Sequence, residues 1–590
     1  MAENPGLPEA WIHDRVRRVW LHFTRPASVA VAHSLADVPL VIASAEAASA
    51  GGLWAVGFVA YEAAVAFDPA LSTHPPHPRQ PLAWFGFFPP PREAPPPAAL
   101  PLRIEAQPDL AQAAFVERIE RIQAAIALGE TYQVNLTFRL NATGVLDPRQ
   151  VFAQLQAAQP GGYGAYLDLG DIVVASASPE LFWRLDGETI TMRPMKGTRR
   201  RGRWPTEDEA LAADLVSAAK DRAENVMIVD MARNDLGKIA RIGSVRVPEL
   251  FTAERYPTLW QMTSTVQAET TAGLGEILRA CFPCASITGA PKASTMRLIT
   301  ALEDTPRGVY TGAIGYWAPG RRAQFNVAIR TAVVDGPRAR LTYGVGSGIV
   351  WDSEAVDEYH ECLLKARTLT EPVEPFDLFE TLRWAPGMGF WLEERHLARL
   401  SGSAQRFAFV CDLEAVREAL RRAVDGHEEP CRVRLTLSPD GRVAAVASPA
   451  PPVALEASDA AGRAPLGLRW ALEPVDRRDP LLYHKTTRRD LYDKALAVAR
   501  GQGPCDDVIM WNQAGEVTET TIGNLVIEVA GRLWTPPVEA GLLAGTFRQS
   551  LLDCGAVVEG PVTRAMVGEA KDFWRVNSLR GWERARVRDD

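Results

Sequence analysis

The stretch 220–237, "KDRAENVMIVDMARNDLG", sets Val226, Met227, Val229 and Met231 as an apolar surface among charges, with Gly237 at its end. That pattern predicts a helix. A second helical pattern covers 353–369, "SEAVDEYHECLLKARTL", and stops before Pro372 and Pro375. Two prolines and a fresh pattern beyond it place a domain boundary near 370, dividing the chain into 1–370 and 371–590. The proline-heavy stretch 68–101 reads as a surface excursion, partly extended, with its Trp and Phe residues marking a strand. A loop at 447–465 is expected to join two lobes of the C-terminal half. Strands and helices alternate in both halves, so both are mixed α/β (α+β).

Composition narrows the function classes. The 590 residues are 47% hydrophobic and 23% charged, an ordinary globular balance, and a net charge of −8 argues against a general nucleic-acid binder. The longest apolar run, "GLWAVGFVAYEAAVAF", is broken by Glu62 and falls short of a membrane span. Seven scattered cysteines read as reduced thiols, and the lone CxxC of Cys281 and Cys284 lacks the further ligands that zinc needs. The N-terminus shows no secretory pattern, so a cytoplasmic protein is expected.

Lysine is rare, eight residues among 64 positive charges, yet one stands inside the arginine-rich "MRPMKGTRRRG" at Lys196. Arg keeps its proton, whereas a buried Lys can lose one and act as a nucleophile. Asp221 and Glu224 share one helix face, and Glu358 and Glu361 share another at the same spacing. Such pairs usually form a solvated face, but two facing helices can also hold Mg²⁺ between them. Gly344, Gly346 and Gly348 in "LTYGVGSGIV" would let backbone amides approach an anion. Arg330 could grip a carboxylate, and Thr288 and Gly289 precede a helix start at Pro291. Together these describe a site for a small polyanion and a metal. No His occurs between His77 and His360, so acid–base work in this half falls to carboxylates or lysine.

The motifs "YQVNLTFRL", "SPELF", "PMKGT", "KDRAENVMIVDMARNDL", "SITGAPK", "YTGAIGY", "FNVAIRT", "GVGSGIV" and "DEYHECLLKA" run in the order seen in chorismate-utilising enzymes. The resemblance covers roughly 110–370 and implies a chorismate-binding β-sandwich flanked by helices. Where anthranilate synthases have a sequence like PIAGT, this chain has "PMKGT", and the lysine version resembles aminodeoxychorismate synthase component I. The resemblance implies that Lys196 attacks C2 of chorismate as the 4-hydroxyl leaves, and that ammonia then enters at C4 and expels the lysine. It also implies Mg²⁺ on Glu224 and Glu361 with Glu358 close by. Arg330, Tyr310 and the amides around Gly346 and Gly348 would hold the carboxylates. Many relatives carry a His where this chain has Gln261, so the proton for the 4-hydroxyl is expected from a metal-bound water or Lys292.

In the second half, "FDLFETLRW", "LEERHLARLSGSAQRF", "YHKTTRRDLYDKA" and "GEVTETTIGNLVIEVAGRLWTPPVEAGLLAGTFRQ" follow the order of class IV pyridoxal-phosphate enzymes. From the residues alone, Gly545 and Thr546 before a helix make a phosphate cup. The resemblance implies a two-lobed fold with Lys485 bonded to pyridoxal 5'-phosphate. Glu519 would meet the pyridine nitrogen, while Arg399, the backbone at Ile522 and Gly523, and Thr546 would bind the phosphate, with Asn524 ordering the loop. The fused halves imply a bifunctional enzyme: 4-amino-4-deoxychorismate made by the first, and cleaved to 4-aminobenzoate and pyruvate by a lyase in the second. An anthranilate synthase fused to an aminotransferase, or a half retained as a binding scaffold, are the alternatives. Ammonia is expected from a separate glutamine amidotransferase subunit, and a homodimer through the C-terminal half.

Overall fold

The computed structural model describes residues 8–95, 102–144, 146–256, 259–372 and 374–588. The chain forms two compact units, Met1–Arg200 with Ala212–Glu374, and Arg201–Leu211 with Pro375–Asp590.

The first unit is built on two ten-stranded sheets, antiparallel throughout their described pairings. They face each other across one core, with Ile12, Phe23, Leu167 and Val174 from one sheet against Trp54, Phe58, Trp84 and Ile314 from the other. Helices cover both outer faces. Gln112–Ala127, Pro148–Ala158 and Ala355–Thr370 bury Phe115, Phe152 and Cys362 against Leu136 and Phe138. Asp37–Ala50, Ala219–Gly237 and Leu274–Cys281 bury Ile42, Val229 and Ile277 against Phe85 and Phe325. The two helices read from periodicity are therefore present, Ala219–Gly237 and Ala355–Thr370, one on each side of the sandwich.

The proline-heavy stretch differs from its reading as a surface excursion. Its strand Ala83–Phe88 is wholly buried between Ser28–Ala32 and Trp54–Val59. Trp84 and Phe88 fill the inter-sheet core while Phe85 and Phe87 face the helices, so every position of the strand is apolar. Residues 96–101 of that stretch lie outside the described residues.

The second unit carries two sheets. Leu378–Ala385, Gly389–Phe390, Cys431–Leu437 and Val443–Pro449 form a four-stranded sheet backed by helices Glu393–Phe407 and Leu413–Ala423. An eight-stranded mixed sheet follows, and pairing of Val517–Thr520 with Asn524–Val529 closes part of it on itself. The loop after Pro449 joins the two sheets. The segment His484–Thr487 runs beside Leu378–Ala385: Phe379 N donates to Lys485 O at 3.0 Å, and Leu378 bridges Thr486. No described helix is long and apolar enough to cross a membrane.

Candidate functional site

Lys196 stands on the strand Met195–Arg200, which pairs with Leu259–Glu269. Gln261 clamps that strand: its Nε2 donates to Gly197 O at 2.8 Å and its Oε1 accepts from Thr198 Oγ1 at 3.1 Å. Asn225 adds a bond from Nδ2 to Lys196 O at 3.5 Å. Gln261 thus holds the lysine-bearing backbone. The Lys196 amine reaches Gly348, where a Cβ would sit 2.8 Å from Nζ and 2.5 Å from Gln133 Nε2. A Cβ at Gly344 would meet the Tyr310 ring at 2.2 Å. The sequence leads one to expect amides here that approach an anion; the structure adds a second use for the glycines. The strip lies inside the strand Arg340–Ile349, and its missing side chains make room for Lys196 and Tyr310.

Burial pushes the Lys196 pKa down; Glu224, Glu180 and Glu361 pull it back, and Lys365 adds to the depression. Glu180, within "SPELF", was not singled out from sequence. It is buried, and burial raises its pKa to about 7 against the opposing effects of a Ser286 hydrogen bond and the Lys196 charge. Among the described residues its Oε1 has no hydrogen-bond partner, nor has Gln133 Oε1. A neutral carboxylic acid with a free oxygen beside an amine of depressed pKa can pass a proton to a leaving oxygen.

The acid pairs are arranged unequally. Glu358 accepts from Ser353 Oγ at 2.7 Å and from Ser347 Oγ. Burial raises the Glu224 pKa; Lys196 and Lys220 oppose that rise, while Asp221 and Glu358 add to it. Glu361 is half-exposed and pairs with Lys365 at 2.7 Å. Its partial burial works against ionisation, but Lys365, Lys196 and Arg330 outweigh it and hold the carboxyl below its ordinary value. Among the described residues no three such side chains gather closely enough to grip a metal ion. Glu224 and Glu358 nevertheless sense each other, and a pair of carboxylates is the protein donor set that Mg²⁺ takes.

The remaining expected substrate contacts divide. Arg330 takes a left-handed φ of 52° and donates from Nη1 to Thr368 Oγ1 at 2.6 Å. Tyr310 is buried with the Arg139 guanidinium 5.2 Å over its ring. The Gly346 carbonyl accepts from Lys365 Nζ at 2.9 Å. Gly289 joins the short strand Gly289–Ala290 beside Gln133–Thr143. Thr288 Oγ1 is turned to the backbone, donating to Cys284 O at 3.1 Å. Lys292, expected as a proton source, instead pairs with Asp235 at 3.0 Å and bonds Cys281 O at 3.1 Å. Those two contacts turn its amine toward Asp235 and the Cys281 carbonyl.

In the second unit, burial lowers the Lys485 pKa to about 8; Arg399 and Arg489 reinforce the fall and Glu380 and Glu519 resist it. Its Nζ lies 4.8 Å from the Phe379 ring centre. Glu519 is buried and raised to about 7, chiefly by desolvation. Tyr492 Oη donates to its Oε1 at 2.8 Å, and Asn524 Nδ2 to its Oε2 at 3.4 Å. Asn524 also donates to Leu543 O at 2.8 Å, and a Cβ at Gly545 would meet Asn524 Oδ1 at 2.0 Å. Gly545 therefore keeps open the cup that leads into the helix Thr546–Asp553. Ile522 is exposed at the tip of the turn, and the Gly523 carbonyl accepts from Thr520 N at 2.8 Å.

Arg399 is fixed by two bonds to Glu380, 2.8 and 2.7 Å, and by Nη1 to Ala544 O at 3.0 Å. His396 donates from Nδ1 to Glu380 at 2.7 Å, leaving Nε2 to accept from Thr546 Oγ1 at 3.2 Å. Glu380 and His396 were invisible to the sequence reading, yet they set the direction of both Arg399 and Thr546. A lysine of lowered pKa, a buried acid opposite and an open cup at a helix start fit pyridoxal phosphate.

Arg434 was also missed. Its guanidinium lies 4.2 Å over the same Phe379 ring, and burial, with Arg432 and Arg489 nearby, lowers its pKa. Arg489 donates to Thr521 O at 2.6 Å. Alternation along Cys431–Leu437 could have flagged it: Cys431, Val433, Leu435 and Leu437 are core, so Arg432 and Arg434 share the other face.

Comparison with known proteins agrees with this geometry. Residues 21–371 match the family described as chorismate binding enzyme, and residues 377–586 match class IV amino-transferases. An aminodeoxychorismate synthase of Streptomyces pristinaespiralis is 45% identical over 257 residues, 43% of this chain and 36% of that protein. Anthranilate synthase component 1 3 of Haloarcula marismortui is 41% identical over 265 residues, 45% of this chain and 52% of that protein. The chain thus spans about a third to a half of the length of these relatives. Anthranilate synthase component I of Streptococcus pneumoniae has a similar fold, with a TM-score of 0.53 at 23% identity over 63% of this chain and 94% of that one.

Proposed function

The chain belongs to the chorismate-binding enzymes and carries a class IV amino-transferase domain behind that part, and from this premise we propose that it converts chorismate to 4-aminobenzoate in two steps. The observation that carries the first step is a buried Lys196 amine of lowered pKa within reach of the charge of a buried Glu180, one of whose oxygens has no hydrogen-bond partner among the described residues. The neutral amine bonds C2 of the ring while Glu180 protonates the 4-hydroxyl, which departs as water. Ammonia then bonds C4, the C2–N bond breaks, and the proton shed by the incoming nitrogen returns to Glu180. Two displacements direct nitrogen to C4, whereas direct attack at C2 gives the ortho isomer. Arg330 and Tyr310 orient the substrate. Glu224 and Glu358 would hold Mg²⁺, with Glu361 joining on release from Lys365, and the ion would supply charge to the ring carboxylate and the leaving oxygen.

In the second step the product amine enters the Lys485 pocket and pyruvate leaves, giving the aromatic ring. Pyridoxal phosphate, when bound, supplies an electron sink. Lys485 would hold it and move the proton at C4 of the substrate; Glu519 would meet its ring nitrogen; Arg399, Thr546 and the Ile522–Gly523 backbone would bind its phosphate, with Asn524 ordering the cup. Arg434 and Arg489 suit a substrate with two carboxylates. Nitrogen comes as ammonia from a separate glutamine amidotransferase subunit, and the cytoplasmic protein pairs as a dimer through its C-terminal half. The test is chromatography of products from chorismate, ammonium and Mg²⁺. Aminodeoxychorismate is expected without pyridoxal phosphate and 4-aminobenzoate with it; the ortho isomer would overturn the reading.

A further inference from the structure

The residue before Lys485 is a histidine with both ring nitrogens engaged. His484 Nε2 meets Arg203 O at 2.9 Å, and Nδ1 meets Ser403 Oγ at 2.9 Å. A carbonyl only accepts, so Nε2 carries the proton and Nδ1 accepts from the Ser403 hydroxyl. Burial, with the charges of Arg406 and Arg201, lowers the imidazole pKa to about 3 and keeps this tautomer neutral, though the Arg203 bond and Asp208 oppose the fall.

Arg203 belongs to Arg201–Leu211, a stretch from the middle of the chain that is part of the second unit. Several anchors fix it there. Arg406 Nε donates to Gly202 O at 2.8 Å. Arg201 Nη1 donates to Arg406 O at 3.4 Å, while its other nitrogens hold Asp208 within the segment and so keep it folded on itself. Trp204 lies 5.1 Å from the Tyr483 ring and packs on a core of Val475, Leu482, Val508 and Met510. Arg203 Nη1 donates to Arg477 O at 3.2 Å.

His484 has extended backbone, φ −129° and ψ 142°. In extended chain, successive side chains point to opposite sides, so pinning the His484 ring on one side sets the direction in which Lys485 leaves on the other. We propose that Arg201–Leu211 is a positioning segment of the cofactor-binding unit, aiming Lys485 through the Arg203 carbonyl and the His484 ring. The inference rests on the reading of Lys485 given above.

The experiment uses the full chain loaded with pyridoxal phosphate. Trp204→Ala frees the segment. It is expected to weaken cofactor binding about tenfold, the size of one lost hydrogen bond. It is also expected to move the pH midpoint of the absorbance band of the lysine-bound cofactor. Ammonia-dependent consumption of chorismate stays at the wild-type rate, and Trp204→Phe restores both constants. Should Trp204→Ala not fold, His484→Leu removes both ring contacts and is expected to give the same two changes. A variant that melts earlier but keeps the wild-type affinity and midpoint would overturn the inference, leaving the segment merely structural. A wild-type protein with no lysine-bound band would instead overturn the Lys485 reading itself.

Discussion

Lys196 and Lys485 are both taken out of water, but their surroundings tune them in opposite senses. Around Lys196 the strongest electrostatic neighbours are acids, Glu224 and Glu180, which hold the amine up against burial. Around Lys485 the strongest is Arg399, which adds to the fall that burial causes; Glu380, next in strength, and Glu519 resist it, Arg489 reinforces it, and the pKa comes to about 8. Under the proposed function, the Lys196 amine would share its pocket with a cation and a proton donor, which carboxylates nearby would suit. An amine that must be neutral to bond an aldehyde, in a pocket prepared for phosphate and carboxylates, is helped by guanidiniums. The same residue type therefore reports different chemistry according to the sign of the charges beside it.

The sharpest way to break this contrast is to remove each amine. Lys485→Ala should abolish the cofactor absorbance band and slow 4-aminobenzoate formation by on the order of 10⁴-fold or more, while chorismate amination continues. Lys196→Ala should do the reverse, with chorismate still bound; near-normal 4-amination would reject a covalent role. Next in size is Glu180→Gln, which should slow amination by about 10²- to 10³-fold. The pH dependence follows from the raised pKa: Glu180 is protonated below about 7 and loses its proton above. The wild-type kcat/KM for amination should accordingly fall on that limb as pH rises through about 7, and the limb should vanish in Glu180→Gln. Burying the ionised acid also costs stability that builds up as pH rises from the ordinary carboxyl value and is complete above about 7, so the melting temperature of wild type should rise relative to Glu180→Gln as pH falls below about 7. Gly348→Ala, which places a Cβ 2.8 Å from the Lys196 amine, should cost about 10²-fold in amination and leave cleavage of added aminodeoxychorismate unchanged. The smallest effect is expected from Arg434→Leu: KM for the dicarboxylate raised about tenfold or somewhat more, with the cofactor band intact.

Much of the architecture could be read from the chain. The helices Ala219–Gly237 and Ala355–Thr370 are legible in the chain, although of the four apolar residues that marked the first only Val229 is buried. Lys196 stands out because the chain otherwise writes positive charge as Arg. The misreadings share a cause. The strand Ala83–Phe88 is marked by its Trp and Phe residues, but its burial is not, since a strand buried on both faces has no alternation to show which side is core. For the glycine strip, sequence shows the missing side chains but not the Lys196 and Tyr310 groups that fill the space at Gly348 and Gly344. Glu180 has no periodic or paired signal, and only its burial and its free oxygen mark it. Lys292 looked available until Asp235 was found against it, 57 positions away in the chain.

What the sequence determined by itself is the supply of groups: two lysines in distinctive settings, the paired acids, and the order of elements that lays down a β-sandwich and then a two-sheet unit. What only the tertiary structure decided is the state of those groups. Whether a lysine is charged, whether a carboxyl is neutral, and whether the stretch Arg201–Leu211 serves the unit of Lys485 all depend on burial and on neighbours far along the chain. Desolvation and Coulomb interaction act through distances in space, and the linear order of residues does not contain them.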